Sequence, residues 1–240
     1  MDYYKDLRYN NWLIPGIDYL FIGIGFYTLF YLLFHNILLN NNIRYNHLDN
    51  DRKLYVLKNI TKSCGLLIIL YYGYVLLYYK WFENKWINDL IYKIGFFYCS
   101  ADFLGLLVVK NLPINSKIHH ISTLFISILV SQTDFENSAT IVEAILIFTL
   151  LASKSFSVNL YLGWRHIYYR YTKKILNLAY YNYIITLTIN FIYQYWMLYR
   201  FFNISLLYMS YVFLCHLIIY DDIKLLGFLR HQKNKLLKSV

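Results

Sequence analysis

Apolar residues gather along this chain into continuous blocks separated by short polar intervals. Each block is about 17–25 residues long, the length a helix needs to cross about 30 Å of hydrocarbon. Seven blocks are read, at 12–35, 63–80, 86–109, 113–133, 139–162, 176–199 and 204–220. A barrel strand would alternate apolar and polar residues over about ten positions, and these blocks do not alternate. The pattern predicts an all-α fold, a polytopic transmembrane helical bundle of about seven spans. No internal repeat is visible, which argues against the inverted-repeat transporter architectures.

Composition supports the pattern. The chain is 59% hydrophobic and 15% charged, whereas a soluble domain carries about a quarter charged residues. The first apolar run follows the mixed-charge stretch "MDYYKDLRYNN", is too long for a signal peptide and lacks a small-residue cleavage pattern, so it is expected to stay as a helix. Cys64, Cys99 and Cys215 all fall inside apolar blocks. They read as small buried hydrophobes and supply no disulfide framework and no metal spacing. The 28 tyrosines reflect interfacial ring chemistry together with an Ile-, Asn- and Lys-rich coding bias, and no single tyrosine is given a role.

Charge sets the expected orientation. Sixteen Lys and Arg fall in one alternate set of loops and ends and five in the other, with Lys93 and Lys154 inside spans. Cytosolic segments carry the basic excess, so the N-terminus is expected on the lumenal or exterior side and the C-terminus in the cytosol. The net charge of +10 is then explained by basic loops that attract anionic lipid headgroups at the cytosolic leaflet. The charges are spread over short loops and form no single basic face, so no nucleic-acid partner is expected. Of two glycosylation triplets, Asn59-Ile60-Thr61 falls on the cytosolic side and should be silent, and Asn203-Ile204-Ser205 abuts the membrane on the lumenal side.

Ionisable groups at bilayer depth are costly and mark cavities or function. Asp102, His119, His120, Lys154 and His216 are such groups. At about 1.5 Å rise per residue, Asp102, the histidine pair and Lys154 lie at one level, roughly 9–12 Å inside the cytosolic ends of three successive spans. His216 is placed about a turn shallower. Adjacent histidines on a helix diverge by about 100°. One ring is therefore free to work on a substrate while the other is held by a hydrogen bond, with Asp102 as its orienting acid. Structural readings stand beside this one. Asp102 and Lys154 would neutralise each other, or the histidines would satisfy polar backbone near the headgroups. Adjacent residues cannot both ligate one ion comfortably, so no metal is expected.

Three stretches resemble the TLC-domain family, the six-span lipid-handling module shared with ceramide synthases. "KNITKS" at 58–63 resembles the basic, serine-ended start of the family's first domain helix. "FFYCSADFLGLL" at 96–107 resembles the segment with an intramembrane acid, Asp102. "HHIST" at 119–123 resembles the start of the signature helix. The resemblance covers roughly residues 55–225 and implies three parts. Residues 1–54 hold a leading helix and a basic polar loop, 55–225 a TLC-type six-span domain, and 226–240 a basic cytosolic tail expected to fray.

Ceramide synthases add a His-Asp and a further Asp after the histidine pair, and here "SQTDFENSATIVEAIL" offers only Asp134, Glu136 and Glu143, toward the lumenal side. The departure brings the chain closer to the small members of the family that are not ceramide synthases. The resemblance thus implies a protein that binds or regulates membrane lipid, with an acyl-chain cavity whose polar end is formed by Asp102, His119 and His120. Lys154, Thr123, His216 and Ser63 would contribute to substrate binding. One alternative is an acyl-CoA-dependent N-acyltransferase acting on a lipid amine, with His119, His120 and Asp102 catalytic and acyl-CoA as co-substrate. Another is a membrane scaffold or pore that handles no lipid. No bound cofactor is expected. The implied location is the endoplasmic reticulum or a related internal membrane, and a homodimer is left open.

Overall fold

A computed structural model of the chain describes residues 14–110, 112–135, 142–168, 172–200 and 206–238. These residues fold as α1 (Asp18–Asn41), α2 (Ile43–Asn46), α3 (Asn50–Glu83), α4 (Asn88–Val108), α5 (Ile114–Ser131), α6 (Val142–Ser153), α7 (Phe156–Trp164), α8 (Thr172–Arg200) and α9 (Leu206–Lys238). Among them there is no strand. Five helical segments are long and apolar enough to cross a membrane: Asp18–Asn41, Asn50–Glu83, Asn88–Val108, Leu146–Trp164 and Thr172–Arg200. The other two expected spans fall on α5 and α9, which are helical; α5 carries His119 and His120 near its start, and in α9 Asp221 and Asp222 follow directly after the apolar run.

Local signals explain the boundaries, including those that differ from the expected ones. The first helix begins at Asp18 rather than near residue 12, after Pro15 and a left-handed Gly16 (φ +79°), and runs on to Asn41. The polar interval before the second expected span is mostly helix. Asn42 caps α2 by accepting from the Tyr45 amide, and Asp49 caps α3 by accepting from the Arg52 amide at 2.8 Å. α3 therefore starts about a dozen residues before the apolar run, and it ends at left-handed Asn84. The C-terminal tail, expected to fray, continues α9 as far as Lys238.

The fifth expected span, 139–162, is two helices, α6 and α7, broken at Lys154 and Ser155. A break in an apolar helix frees backbone carbonyls that must find other donors. The side chain of Asn182 on α8 supplies one, donating to the Lys154 carbonyl at 2.6 Å and to Ser157 Oγ at 3.0 Å. The uniform apolarity of this stretch concealed the break.

α3 lies at the centre and packs against α7, α4, α1 and α6, while α5 is held between α4 and α9. α1 buries few residues, and its Phe21, Ile22, Leu29, Leu32 and Leu33 face outward, as do Ile185, Ile189 and Ile192 of α8. So much outward apolar surface is compatible with an integral membrane protein and uncharacteristic of a water-exposed bundle. α1 and α3 meet where Tyr27, 1% exposed, lies over Gly65 so closely that a methyl group there would overlap the phenol. Gly65→Ala is expected to destabilise the fold by about 1–3 kcal/mol, the usual cost of overpacking. Gly25→Ala, with nothing within 4 Å, should be neutral or slightly stabilising. Thermal unfolding of the two variants in one detergent makes the comparison.

Candidate functional site

The geometry of α3 creates the site. Lys58 and Lys62 are four residues apart, so their side chains share one helix face, and both are buried (7% and 8% exposed). That face meets α4 at Asp102, which is fully buried. The Lys62 ammonium donates to Asp102 Oδ1. From α5, His120 brings Nδ1 to 2.9 Å from the same oxygen, and Thr123 donates its hydroxyl to Asp102 Oδ2 at 3.3 Å. The Lys58 ammonium lies 3.1 Å from His120 Nε2. An ammonium can only donate, so Nε2 is the acceptor and the ring proton belongs on Nδ1, beside the carboxylate. That Nδ1 approaches Asp102 at charge-contact distance but out of hydrogen-bond alignment.

His119 points another way, as the 100° step between neighbours requires. Its Nδ1 lies 3.2 Å from Asp221 Oδ2 on α9, again a charge contact without hydrogen-bond alignment. The next residue, Asp222, makes the matching turn and accepts from the Tyr183 hydroxyl of α8 at 2.7 Å. Two adjacent histidines thus engage two separate carboxylates, Asp102 on one side and Asp221 on the other. His120 accepts from Lys58 at Nε2 and has the Asp102 charge beside Nδ1. His119 has the Asp221 charge beside Nδ1, and its Nε2 has no partner among the described residues.

His119, His120, Lys58, Lys62, Asp221 and Asp222 line a cavity of about 390 Å³, whereas Asp102, expected at its polar end, lies behind them and is not part of the lining. Its apolar wall includes Phe148, Val158, Leu187, Ile218 and Phe228, and His119, His120, Asp221 and Asp222 stand on its polar side. The volume falls within the range of small-molecule and cofactor sites.

Of the residues singled out by sequence, the structure therefore brings Asp102, His119, His120 and Thr123 together. It does not bring the other three to them. Lys154 sits at the α6–α7 break, on a second cavity of about 380 Å³ with Trp81, Trp86 and Glu143, and the cation on Asp102 is Lys62 instead. An expected depth counted along one helix does not say which face a side chain leaves from or which neighbour it meets. His216 is exposed and its ring contacts the Val212 carbonyl of its own helix at 2.7 Å. Ser63 donates to the Phe156 carbonyl at 2.8 Å, tying α3 to α7.

Lys58 and Lys62 had been counted among cytosolic loop charges, yet their i, i+4 spacing was a readable sign of a shared face. Asp221 and Asp222 lay just past the expected end of the last span. An acidic pair directly after an apolar run was the available signal. The described acids that follow the histidine pair, Asp134 and Glu143, do not reach the cavity: Asp134 accepts from the Asn88 side chain at 2.6 Å and Glu143 lines the second cavity. Glu136 is outside the described residues, as is Asn203. One ligand atom each from Asp102, His119 and His120 lies within 4.8 Å of the other two. The ammonium groups of Lys62 and Lys58 already contact Asp102 Oδ1 and His120 Nε2, so a metal cation would sit against two positive charges, and the set does not favour a metal.

Removing one partner of a buried ion pair costs about 3–5 kcal/mol, because the other charge is left buried and alone. Asp102→Leu and Lys62→Met are each expected to lower stability on that scale. The double variant should be more stable than either, which thermal unfolding of the three proteins would measure. Comparison with protein-family models, with curated proteins and with solved structures finds no match for this chain.

Proposed function

We propose that the chain is a multi-pass membrane protein that binds or regulates membrane lipid, in the manner of the TLC-type proteins it resembles. α5 and α9 would join the five long apolar segments to make seven crossings, with the N-terminus on the lumenal side and the C-terminus in the cytosol. Lys58 and Lys62 face inward and drop out of the loop charges, but the remaining fourteen against five keep the same bias. The endoplasmic reticulum or a related internal membrane is the location that goes with the resemblance.

The observation that carries the reading is the two-sided cavity. A wall of Phe148, Val158, Leu187, Ile218 and Phe228 suits an acyl chain, and the histidine–carboxylate cluster beside it suits a polar head. A soluble metabolite would need less apolar wall, and a pore would call for a ring of like charge, whereas here acids and bases alternate.

A second reading, N-acyl transfer from acyl-CoA to a lipid amine, is favoured by one feature. His119 has the Asp221 carboxylate 3.2 Å from Nδ1 and no partner at Nε2 among the described residues, a placement that suits a general base beside an orienting acid. In that case His119 would take the proton from the amine and His120 would position Asp102 and Lys58.

Mass spectrometry of lipid retained through gentle detergent purification tests the first reading. Wild-type protein is expected to retain lipid, and Leu187→Trp, which fills the cavity, to lose it. The second reading predicts an N-acylated product from acyl-CoA and a sphingoid base, abolished by His119→Ala. Absence of both lipid and product would sink the two readings together.

A further inference from the structure

The charges around the cavity do not balance, and the imbalance identifies a ligand class. All three acids of the cluster are engaged. Asp102 is met by Lys62, His120 and Thr123, Asp221 by His119, and Asp222 by Tyr183. Four cations line the same space, Lys58, Lys62, Arg165 and Lys224, and only Lys62 has a carboxylate within ion-pair distance among the described residues.

Lys58 is the sharpest case. It is 7% exposed, and its ammonium touches a histidine nitrogen and no acid. The fold makes room for it there, since a side chain at Gly105 would come within 2.8 Å of the Lys58 nitrogen. Arg165 lies 4.9 Å from the Phe228 ring centre and donates to His166 Nε2 at 3.2 Å. Lys224 is exposed and lies 4.2 Å from the Tyr220 ring centre. Aromatic faces attract a cation but do not neutralise it. Four cations therefore face three acids here, and from exposed Lys224 to buried Lys58 three of the four have no carboxylate within ion-pair distance among the described residues. Burial of an uncompensated charge is expensive, and an anion that binds there removes the cost.

We infer that the cavity takes a single-chain lipid with a phosphate ester head, held by Lys58, Arg165 and Lys224. This deepens the lipid reading above and rests on it. One chain matches the cavity volume, and a phosphate monoester carries the charge and the several acceptor oxygens that three separate donors need. A carboxylate head would present only two oxygens to those donors.

Binding to the purified full-length chain in detergent tests the inference with three probes of one acyl length. These are lysophosphatidic acid, the corresponding monoacylglycerol and the corresponding acyl-CoA. Lysophosphatidic acid is expected to bind more tightly than monoacylglycerol. Lys58→Met and Arg165→Met should each weaken it by about tenfold, the scale of one charge-assisted hydrogen bond, and Lys58→Arg should retain it. Tighter binding of acyl-CoA with the same dependence on Lys58 and Arg165 would support the phosphate site and assign its source to a soluble thioester. Equal binding of lysophosphatidic acid and monoacylglycerol, unchanged in Lys58→Met and Arg165→Met, would overturn the inference and leave the lipid reading standing. Failure of all three probes to bind would overturn both.

Discussion

The contact between Lys62 and Asp102 is the constraint around which the bundle is organised. A carboxylate with no exposure, deep among apolar helices, is tolerable only with its charge met. That requirement fixes the rotation of α3, because Lys62 must face α4, and Lys58 then follows on the same side one turn earlier. It also fixes α5, whose His120 and Thr123 complete the shell of the same carboxylate. Three helices that could otherwise slide along uniform apolar faces are held to one register by a single acid.

The two histidines divide the labour that their adjacency allows. Successive residues on a helix cannot face one point, so His120 turns into the α3–α4 seam and His119 toward α9. The acidic pair on α9 repeats the arrangement, with Asp221 toward α5 and Asp222 toward Tyr183 on α8. The result is a polar cluster shared by five helices beside an apolar cavity. Among the described residues, Nε2 of His119 is left without a partner beside the cavity.

Polar groups elsewhere serve the architecture rather than the cavity. Ser63 reaches from α3 to the first carbonyl of α7, and Asn182 reaches from α8 to the broken turn between α6 and α7. Asn88 bonds to Asp134 and to the Phe135 amide, which ties the start of α4 to the segment after α5. In an apolar surround, such side chains satisfy the backbone groups that helix ends and breaks expose.

Length and hydropathy of the blocks sufficed to establish the helical class and most helix positions, since both follow from local periodicity and chain rise. The same local information placed Asp102 near the histidine pair, because depth along a helix can be counted. It could not assign partners. Lys154 and Lys62 are both bases in or beside apolar runs, and only the packing of the helices decides that Lys62 meets the acid while Lys154 opens onto a different cavity. Asp221 and Asp222 lie more than a hundred residues from His119, so their meeting was invisible until α9 packed against α5. The break at Lys154 was equally hidden, because its stabilising donor, Asn182, comes from another helix. Sequence by itself determined the helical class and most of the helical segments, and it set Asp102 and the histidine pair on neighbouring ones. Tertiary packing decided which face each helix turns inward, because that choice depends on pairing buried charges across helices that are distant in the chain.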